Sequence, residues 1–276
     1  MGWHGHLTLD YRRDGDTTQA HDRHDGPLRV LQRLYPEGPG ICHHVLVHPP
    51  GGMVGGDTLD IDVSLAGGSH AVITTPGAAR FYRSSGAAAV QRLRVRAATG
   101  TRLEWLPLET IAYSGCEGEN LLRFDLEPGA ETIGWDVLAL GLPAAEQPFE
   151  RGRYLQSIEL PGRWLERGTI AADDRTLLDS PLGLAGHRVI GTLWLAAGHA
   201  MADTRRDELL DAARAACAGH ELARIAGATA PHDEVVVLRA LAPRVEPLMA
   251  LFKDVRNRWR QIAWGLGAVQ PRIWTT

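Results

Sequence analysis

The chain has 276 residues, of which 44% are apolar and 22% are charged, and its formal net charge is −4 at pH 7. This composition can build a globular core, either as one large β domain or as two ordinary domains. The mildly acidic charge gives no electrostatic reason to expect binding to nucleic acid or to an anionic membrane. The sequence shows neither a bilayer-spanning apolar run nor a signal peptide, so we expect a cytoplasmic protein.

Alternating apolar and polar residues predict most of the secondary structure. Residues 3–11 alternate cleanly and predict a half-buried strand, whereas the polar, aperiodic residues 12–26 predict a loop. Residues 103–109 contain two acids and a proline, which favours an edge strand or the end of a strand. Further strands are predicted at residues 28–35, 41–47, 59–65, 70–75, 92–97, 122–126, 133–137, 154–160, 164–169, 188–197 and 234–241.

Two segments near the C-terminus have helical periodicity. The first is expected to begin at a Thr204 cap and to stop at Gly219. The second covers residues 246–264 and has one apolar face, with Arg256 and Arg260 on the opposite, basic face. Strands and helices do not alternate as in a parallel α/β fold, so we predict one mainly β domain, residues 1–276, with two late helices.

An unusual loop occupies residues 48–59, between two predicted strands. Its four glycines permit backbone angles or close approaches that other residues forbid, and Asp57 follows them at the start of the next strand. A phosphate-binding loop would continue with Lys and Ser or Thr, and a dinucleotide fingerprint would continue with a helix. Nucleotide binding is therefore not expected here. The four glycines are Gly51, Gly52, Gly55 and Gly56.

Metal binding and hydrolysis are the chemical alternatives. Cys42 and His44 share one face of a predicted strand and, with His48, could bind a divalent ion; a packed thiol with hydrogen-bonded imidazoles is the other interpretation. No spaced zinc motif or nucleophile elbow is present. A glycosidase would need two carboxylates flanking its substrate. The candidates are Asp57, Glu109 and Asp136.

Five motifs, in order along nearly the whole chain, resemble the urease accessory protein UreD family, called UreH in some systems. They lie at residues 26–28, 48–59, 74–84, 104–111 and 271–276, and the third begins with Thr74, Thr75, Pro76 and Gly77. The sequence departs from the family pattern at Leu108, where glutamine is usual, and at Arg80, where lysine is common.

This resemblance implies a β-helix-like stack of short-stranded sheets and a non-catalytic scaffold for urease maturation. It implies binding to the urease apoprotein and to UreF, which recruits the GTPase UreG, within an accessory complex that we expect to be dimeric. It also implies that no cofactor is tightly bound and that Ni²⁺ passes through an internal, water-filled tunnel.

Simple coordination chemistry indicates which residues would suit such a tunnel. Imidazole and thiolate would retain Ni²⁺, whereas carboxylates and water release it more readily. We therefore select Asp57, Asp136 and Glu109 as candidate path residues. A turn carboxylate is the alternative for Asp57, and surface salt bridges are the alternative for the other two. Arg256 and Arg260 are candidate partner-binding residues, with a merely solvated helix face as the alternative.

Overall fold

Strands dominate the structure, a computed structural model that describes residues 2–275; Met1 and Thr276, the ends of the predicted domain, lie outside the described residues. Strand residues make up 48% and helical residues 17%, which confirms the mainly β prediction. The strands, in chain order, are β1 His4–Asp14, β2 Thr17–Asp25, β3 Arg29–Val30, β4 Ile41–Val47, β5 Thr58–Ala66, β6 His70–Thr74, β7 Ala79–Phe81, β8 Ala89–Ala97, β9 Arg102–Leu106, β10 Thr110–Ala112, β11 Cys116–Leu126, β12 Glu131–Leu142, β13 Gln147–Pro148, β14 Gly152–Leu160, β15 Trp164–Ala171, β16 Val189–Ala197, β17 Ala226–His232 and β18 Val235–Ala242.

The strands form two sheets that the chain visits alternately. Sheet 1 has seven strands in the order β15-β14-β11-β8-β5-β1-β2. Sheet 2 has eleven strands, with the main order β17-β18-β16-β12-β9-β6-β4-β3 and with β7, β10 and β13 beside this path. The central pairs β5–β8, β8–β11, β6–β9 and β9–β12 are parallel. Successive coils therefore stack on one another, which confirms the β-helix-like architecture.

Strict side-chain alternation sorts the apolar residues into two cores. Residues such as Val63 of sheet 1 and Ile73 of sheet 2 fill the space between the sheets. On the other face of sheet 2, Trp135 belongs to a second core that includes Phe252 and Trp259. The molecule thus has three layers: sheet 1, sheet 2 and the two long helices at residues 203–218 and 245–264.

Three α-helices are present among residues 2–275, namely α1 Arg175–Asp179, α2 Asp203–Ala218 and α3 Val245–Trp264. The predicted Thr204 cap is wrong, because α2 begins one residue earlier and its N-cap, Ala202, provides no side-chain hydrogen bond. The predicted stop at Gly219 is confirmed. Helix α3 ends at Gly265, whose φ of 65° suits glycine.

Two strand predictions need correction, and a third holds in one of its two alternatives. Residues 12–26 are not a loop, since they complete β1 and form β2, an edge strand that buries only Thr18 and Ala20 and so lacks an apolar pattern. Residues 28–35 form only the two-residue strand β3 and an isolated bridge from Leu34 to His43. For residues 103–109 the edge-strand alternative is wrong, because β9 lies between β6 and β12, but the strand-end alternative is confirmed, because β9 ends at Leu106, directly before Pro107.

Candidate functional site

The glycine-rich loop, residues 48–59, packs tightly against residues 80–87, which include the end of β7 and the segment after it. Gly51 and Gly56 adopt φ values of +78° and +92°, which other residues rarely tolerate. A Cβ on Gly52 would lie 2.4 Å from the ring of Tyr82, and a Cβ on Gly55 would lie 2.1 Å from a serine oxygen. The four glycines therefore serve two purposes, a turn and a close approach.

Backbone hydrogen bonds fix the inner end of this loop. Met53 donates its N–H to Arg80 O and accepts one from Tyr82, both at 2.8 Å. The loop thereby joins the segment that continues from Thr74-Thr75-Pro76-Gly77. The two motifs singled out in the sequence thus form one continuous wall.

That wall encloses a cavity of about 260 Å³ between the two sheets. Residues 51–53 and 75–80 line one side, and Pro76 and Gly77 are exposed, so the cavity meets the surface at this loop. Most of the lining is apolar, but Gln91, Asn120 and Asp136 contribute polar groups. Asp136 is the only acidic side chain in this wall among the described residues.

Asp136 is held by amides and not by a cation. Asn120 Nδ2 donates to both of its oxygens, at 3.4 and 3.2 Å, and Gln156 Nε2 donates to Oδ2 at 2.7 Å. Gln91 Nε2 in turn donates to Asn120 Oδ1 at 3.1 Å. Burial raises the pKa of Asp136 to about 6, against the lowering effect of the two amides, and nearby Glu166 raises it further. The salt-bridge alternative for Asp136 is therefore wrong.

The polar contacts continue beyond Asp136 toward the far edge of the sheets. Thr192 lies opposite Asp136 in the β12–β16 pair, and its hydroxyl donates to Glu166 Oε1 at 2.6 Å. Glu166 also accepts from Arg239 Nε at 2.6 Å, and the Arg239 side chain is 52% exposed. Polar groups thus run from the cavity to the surface. We call this set the polar line: Gln91, Asn120, Asp136, Gln156, Thr192 and Glu166.

The other two predicted path carboxylates lie elsewhere. Asp57 is buried, and it accepts hydrogen bonds from the N–H groups of Trp3 at 3.2 Å and Val54 at 2.9 Å. These contacts match the turn-carboxylate alternative, and Asp57 is not part of the cavity wall. Glu109 lies in a surface groove beside Lys253 of α3. The structure therefore does not bring the three carboxylates together, as a glycosidase would require.

The predicted Cys42–His44–His48 group does not form a compact ligand set. Cys42 and His44 point into the inter-sheet core, and His44 Nδ1 lies 2.6 Å from Tyr11 Oη. Burial lowers the pKa of His44 to about 4, so its imidazole is neutral at pH 7. His48 instead lines the cavity, and its Nε2 is buried without a hydrogen-bond partner. In residues 2–275, three potential ligands converge only in the turn at His232–Glu234.

The predicted exposed basic face of α3 is wrong at two positions. Arg256 and Arg260 are fully buried, and their Nε groups donate to Glu104 at 2.7 and 2.8 Å. Arg260 Nη2 also donates to both oxygens of Glu37, at 2.8 and 2.7 Å. We call Arg256, Arg260, Glu104, Glu37 and His70 the buried ion cluster. Two guanidinium groups here face two carboxylates inside the protein, so neither arginine is exposed for contact with a partner.

Glu104 is the centre of this cluster. It lies on β9 and points toward the helices, where His70 Nε2 donates to its Oε1 at 3.1 Å. Burial alone would raise the pKa of this carboxyl, but Arg256, His70 and Arg260 outweigh burial and hold the pKa well below its usual range. Glu104 is therefore charged at all physiological pH values.

The alternation of apolar and polar residues could have identified two members of the polar line that the sequence analysis did not predict. Asn120 is in phase with Leu122 of β11, and Gln156 is in phase with Ile158 of β14, so both point inward. An amide at an inward position of an apolar strand is unusual enough to mark a site. The pairing of Glu166 with Thr192 joins residues of different strands and has no such signal.

Comparison with known proteins identifies the family. The family model described as UreD urease accessory protein matches residues 4–275. Curated relatives named urease accessory protein UreD include those of Leptothrix cholodnii, 64% identical over 278 residues, and Variovorax paradoxus, 62% identical over 276 residues, each with 100% of both chains covered. The protein of Paracidovorax citrulli is 59% identical over 99% of both chains. No helix within residues 2–275 is both long and apolar enough to span a bilayer. This chain belongs to the UreD family of urease accessory proteins.

Proposed function

We propose that this protein conveys Ni²⁺ during urease maturation along the polar line, between the cavity at residues 75–80 and Glu166. The observation that carries the proposal is Asp136, a buried carboxylate in the cavity wall. Its hydrogen-bond partners among the described residues are two amides. Such a carboxylate is costly to keep charged, and a passing cation would provide the missing charge.

The ligand chemistry of the polar line suits transit. Its side chains offer carboxylate, carboxamide and hydroxyl oxygens, which hold Ni²⁺ less firmly than several imidazoles or thiolates would. The carboxamides of Asn120 and Gln156 can present either an N–H donor or a carbonyl oxygen after rotation. A single imidazole, His48, lies in the cavity wall with its Nε2 unpartnered, and it supports a transient first contact for the ion.

The protein acts in this proposal as a non-catalytic scaffold in the cytoplasm. It binds the urease apoprotein and UreF, and UreG joins through UreF in a dimeric accessory complex. Nickel is cargo and not a resident cofactor. Family membership supports this assembly, and the purified chain is expected to hydrolyse no aryl glycoside.

The test is Asp136→Asn, co-expressed with the urease operon. The amide keeps the size of the side chain and removes its charge. The expected result is a urease with several-fold less nickel, measured by atomic spectroscopy, while pull-down of UreF is unchanged. Asp125→Asn is the matched control, because Asp125 lies on β11, the strand that precedes β12 in the chain, but its side chain is 43% exposed. Urease with full nickel content from the Asp136→Asn strain would remove the polar line from the pathway.

A further inference from the structure

The C-terminal segment, residues 266–275, is fastened across the helix-facing side of sheet 2. Arg260 Nη1 donates to Gly267 O at 2.6 Å, and Arg256 Nη1 donates to Val269 O at 2.7 Å. Both arginines are themselves oriented by Glu104. The buried ion cluster therefore fixes the first part of this segment.

Trp274 fixes its far end. The indole Nε1 donates to Thr74 Oγ1 at 2.8 Å. The ring lies 5.4 Å from the ring of Trp135, and Lys253 Nζ lies 4.8 Å from the centre of the Trp274 ring. Trp274 thus has a polar contact at one end and aromatic and cationic contacts on its faces.

The residue that Trp274 contacts is adjacent to the cavity. Thr74 ends β6 and faces the helices, whereas the next residue, Thr75, lies in the cavity wall. Thr74 Oγ1 also donates to Leu106 O at 2.7 Å, and Thr75 Oγ1 accepts from Leu108 N at 2.9 Å. The contact of Trp274 therefore lies one residue from Thr75, whose side chain joins residues 75–80 of the cavity wall to Leu108.

We propose that Trp274 is a positioning residue that sets the conformation of the cavity wall at residues 75–80, 107 and 108. Its functional consequence rests on the proposed passage of Ni²⁺ through this cavity. Without the indole N–H, the Thr74 hydroxyl keeps only its bond to Leu106 O, and the side-chain support for the start of the exposed turn at Pro76 and Gly77 is weakened. The wall then samples arrangements that obstruct the passage.

The variant Trp274→Phe removes the donor and retains an aromatic ring. Its matched control is Trp264→Phe, because Trp264 makes a similar indole bond, to Glu131 Oε2 at 2.6 Å, and is absent from the cavity wall. Thr74→Val removes the acceptor, whereas Thr74→Ser retains it. All variants are made in the full chain, co-expressed with the accessory and urease proteins.

The first measurement is amide hydrogen exchange of the protein within the accessory complex. We expect exchange at Ala79 and Leu108 to rise roughly five-fold in Trp274→Phe, the factor that corresponds to a hydrogen bond of about 1 kcal/mol at 1.4 kcal/mol per factor of ten. Thr74→Val also removes the bond to Leu106 O and should give at least this rise, and adding Trp274→Phe to Thr74→Val should produce no further rise. Thr74→Ser and Trp264→Phe should leave these amides unchanged. Wild-type exchange in Trp274→Phe, or an equal rise in Trp264→Phe, would overturn the proposal.

The second measurement is the nickel content of urease as a function of nickel concentration. A misplaced wall should raise the concentration for half-maximal loading several-fold and leave the plateau unchanged, whereas a merely unstable protein should lower the plateau. A curve for Trp274→Phe that overlaps the wild type, or that loses only its plateau, contradicts a positioning role in transfer.

The two proposals can fail separately. If urease receives its normal nickel content in the Asp136→Asn strain, nickel does not use the polar line. Hydrogen exchange still measures whether Trp274 stabilises the cavity wall. If Asp136→Asn blocks loading while Trp274→Phe changes neither measurement, only the role of Trp274 is lost.

Discussion

Replacing Glu104 by glutamine removes the negative charge that Arg256 and Arg260 share inside the protein. Both guanidinium groups and Glu104 are fully buried. The glutamine amide keeps the shape of the side chain, but it offers only one acceptor oxygen and directs N–H groups toward a guanidinium or His70. Two positive charges would then share only Glu37.

The expected cost follows from the geometry. Removing one partner of a buried ion pair typically destabilises a protein by about 3–5 kcal/mol, because the remaining charge stays desolvated. For a chain of 276 residues, with an unfolding entropy of about 2.1 cal/mol/K per residue, that corresponds to a fall in melting temperature of roughly 5–9 °C. The pKa of Glu104 is depressed in the folded state, so its contribution is present above the unfolded value of 4.5 and is lost as the pH falls below it. The difference between wild type and Glu104→Gln should therefore be constant near neutrality and shrink in acid.

Urea unfolding followed by circular dichroism, at several pH values, measures this difference. The control is Asp254→Asn, which breaks the ion pair of Asp254 with Arg258 on the same helix, where the side chains are 50% and 46% exposed. Exposed pairs contribute about 0–1 kcal/mol, so this variant should remain close to wild type. A loss below about 1 kcal/mol in Glu104→Gln, or a difference at pH 3 that is no smaller than the difference at pH 7, would refute the reasoning.

Three other predictions concern the cavity and the core. Gly52→Ala should cost about 1–3 kcal/mol in urea unfolding, because its Cβ would lie 2.4 Å from Tyr82, whereas Gly77→Ala, which meets nothing within 4 Å, should cost much less; equal costs would contradict the close-approach argument. All three cysteines are buried, so a thiol reagent should label no cysteine in the native protein and three cysteines after denaturation. Rapid labelling of the native protein would be inconsistent with this burial. The folded-state pKa of Asp136 is raised from 3.8 to about 6, so its ionisation lowers the free energy of unfolding as the pH rises from about 4 to about 6. Asp136→Asn should therefore be more stable than wild type by about 1–3 kcal/mol at pH 7. A variant less stable than wild type would contradict this destabilising effect of the charged carboxylate.

The sequence was sufficient to predict the strands with one apolar face. Residues 133–137 show this, since Trp135 faces the helices and Asp136 faces the opposite way, as alternation requires. Strand β2 escaped prediction because an edge strand exposes most of its residues to water. Period-2 alternation identifies buried faces and not hydrogen-bonded ladders.

The burial of Arg256 and Arg260 could not be predicted from α3 alone. A helical projection places them on the polar face, and most polar faces meet solvent. Their partner, Glu104, lies 152 and 156 residues earlier in the chain. A charged helix face and a charged strand residue are each ordinary, and only the fold shows that they neutralise one another.

The alternation of side chains along each strand also places two buried carboxylates on opposite faces of sheet 2. On β9, Glu104 faces the helices and is neutralised by two arginines, whereas on β12 Asp136 faces the cavity and receives only amide hydrogen bonds. The first arrangement serves stability, since every charge has a partner of opposite sign. The second arrangement opposes stability, as the raised pKa of Asp136 indicates. Asparagine would accept similar contacts without that cost, so stability does not account for a carboxylate here, whereas the proposed transit of a divalent cation would.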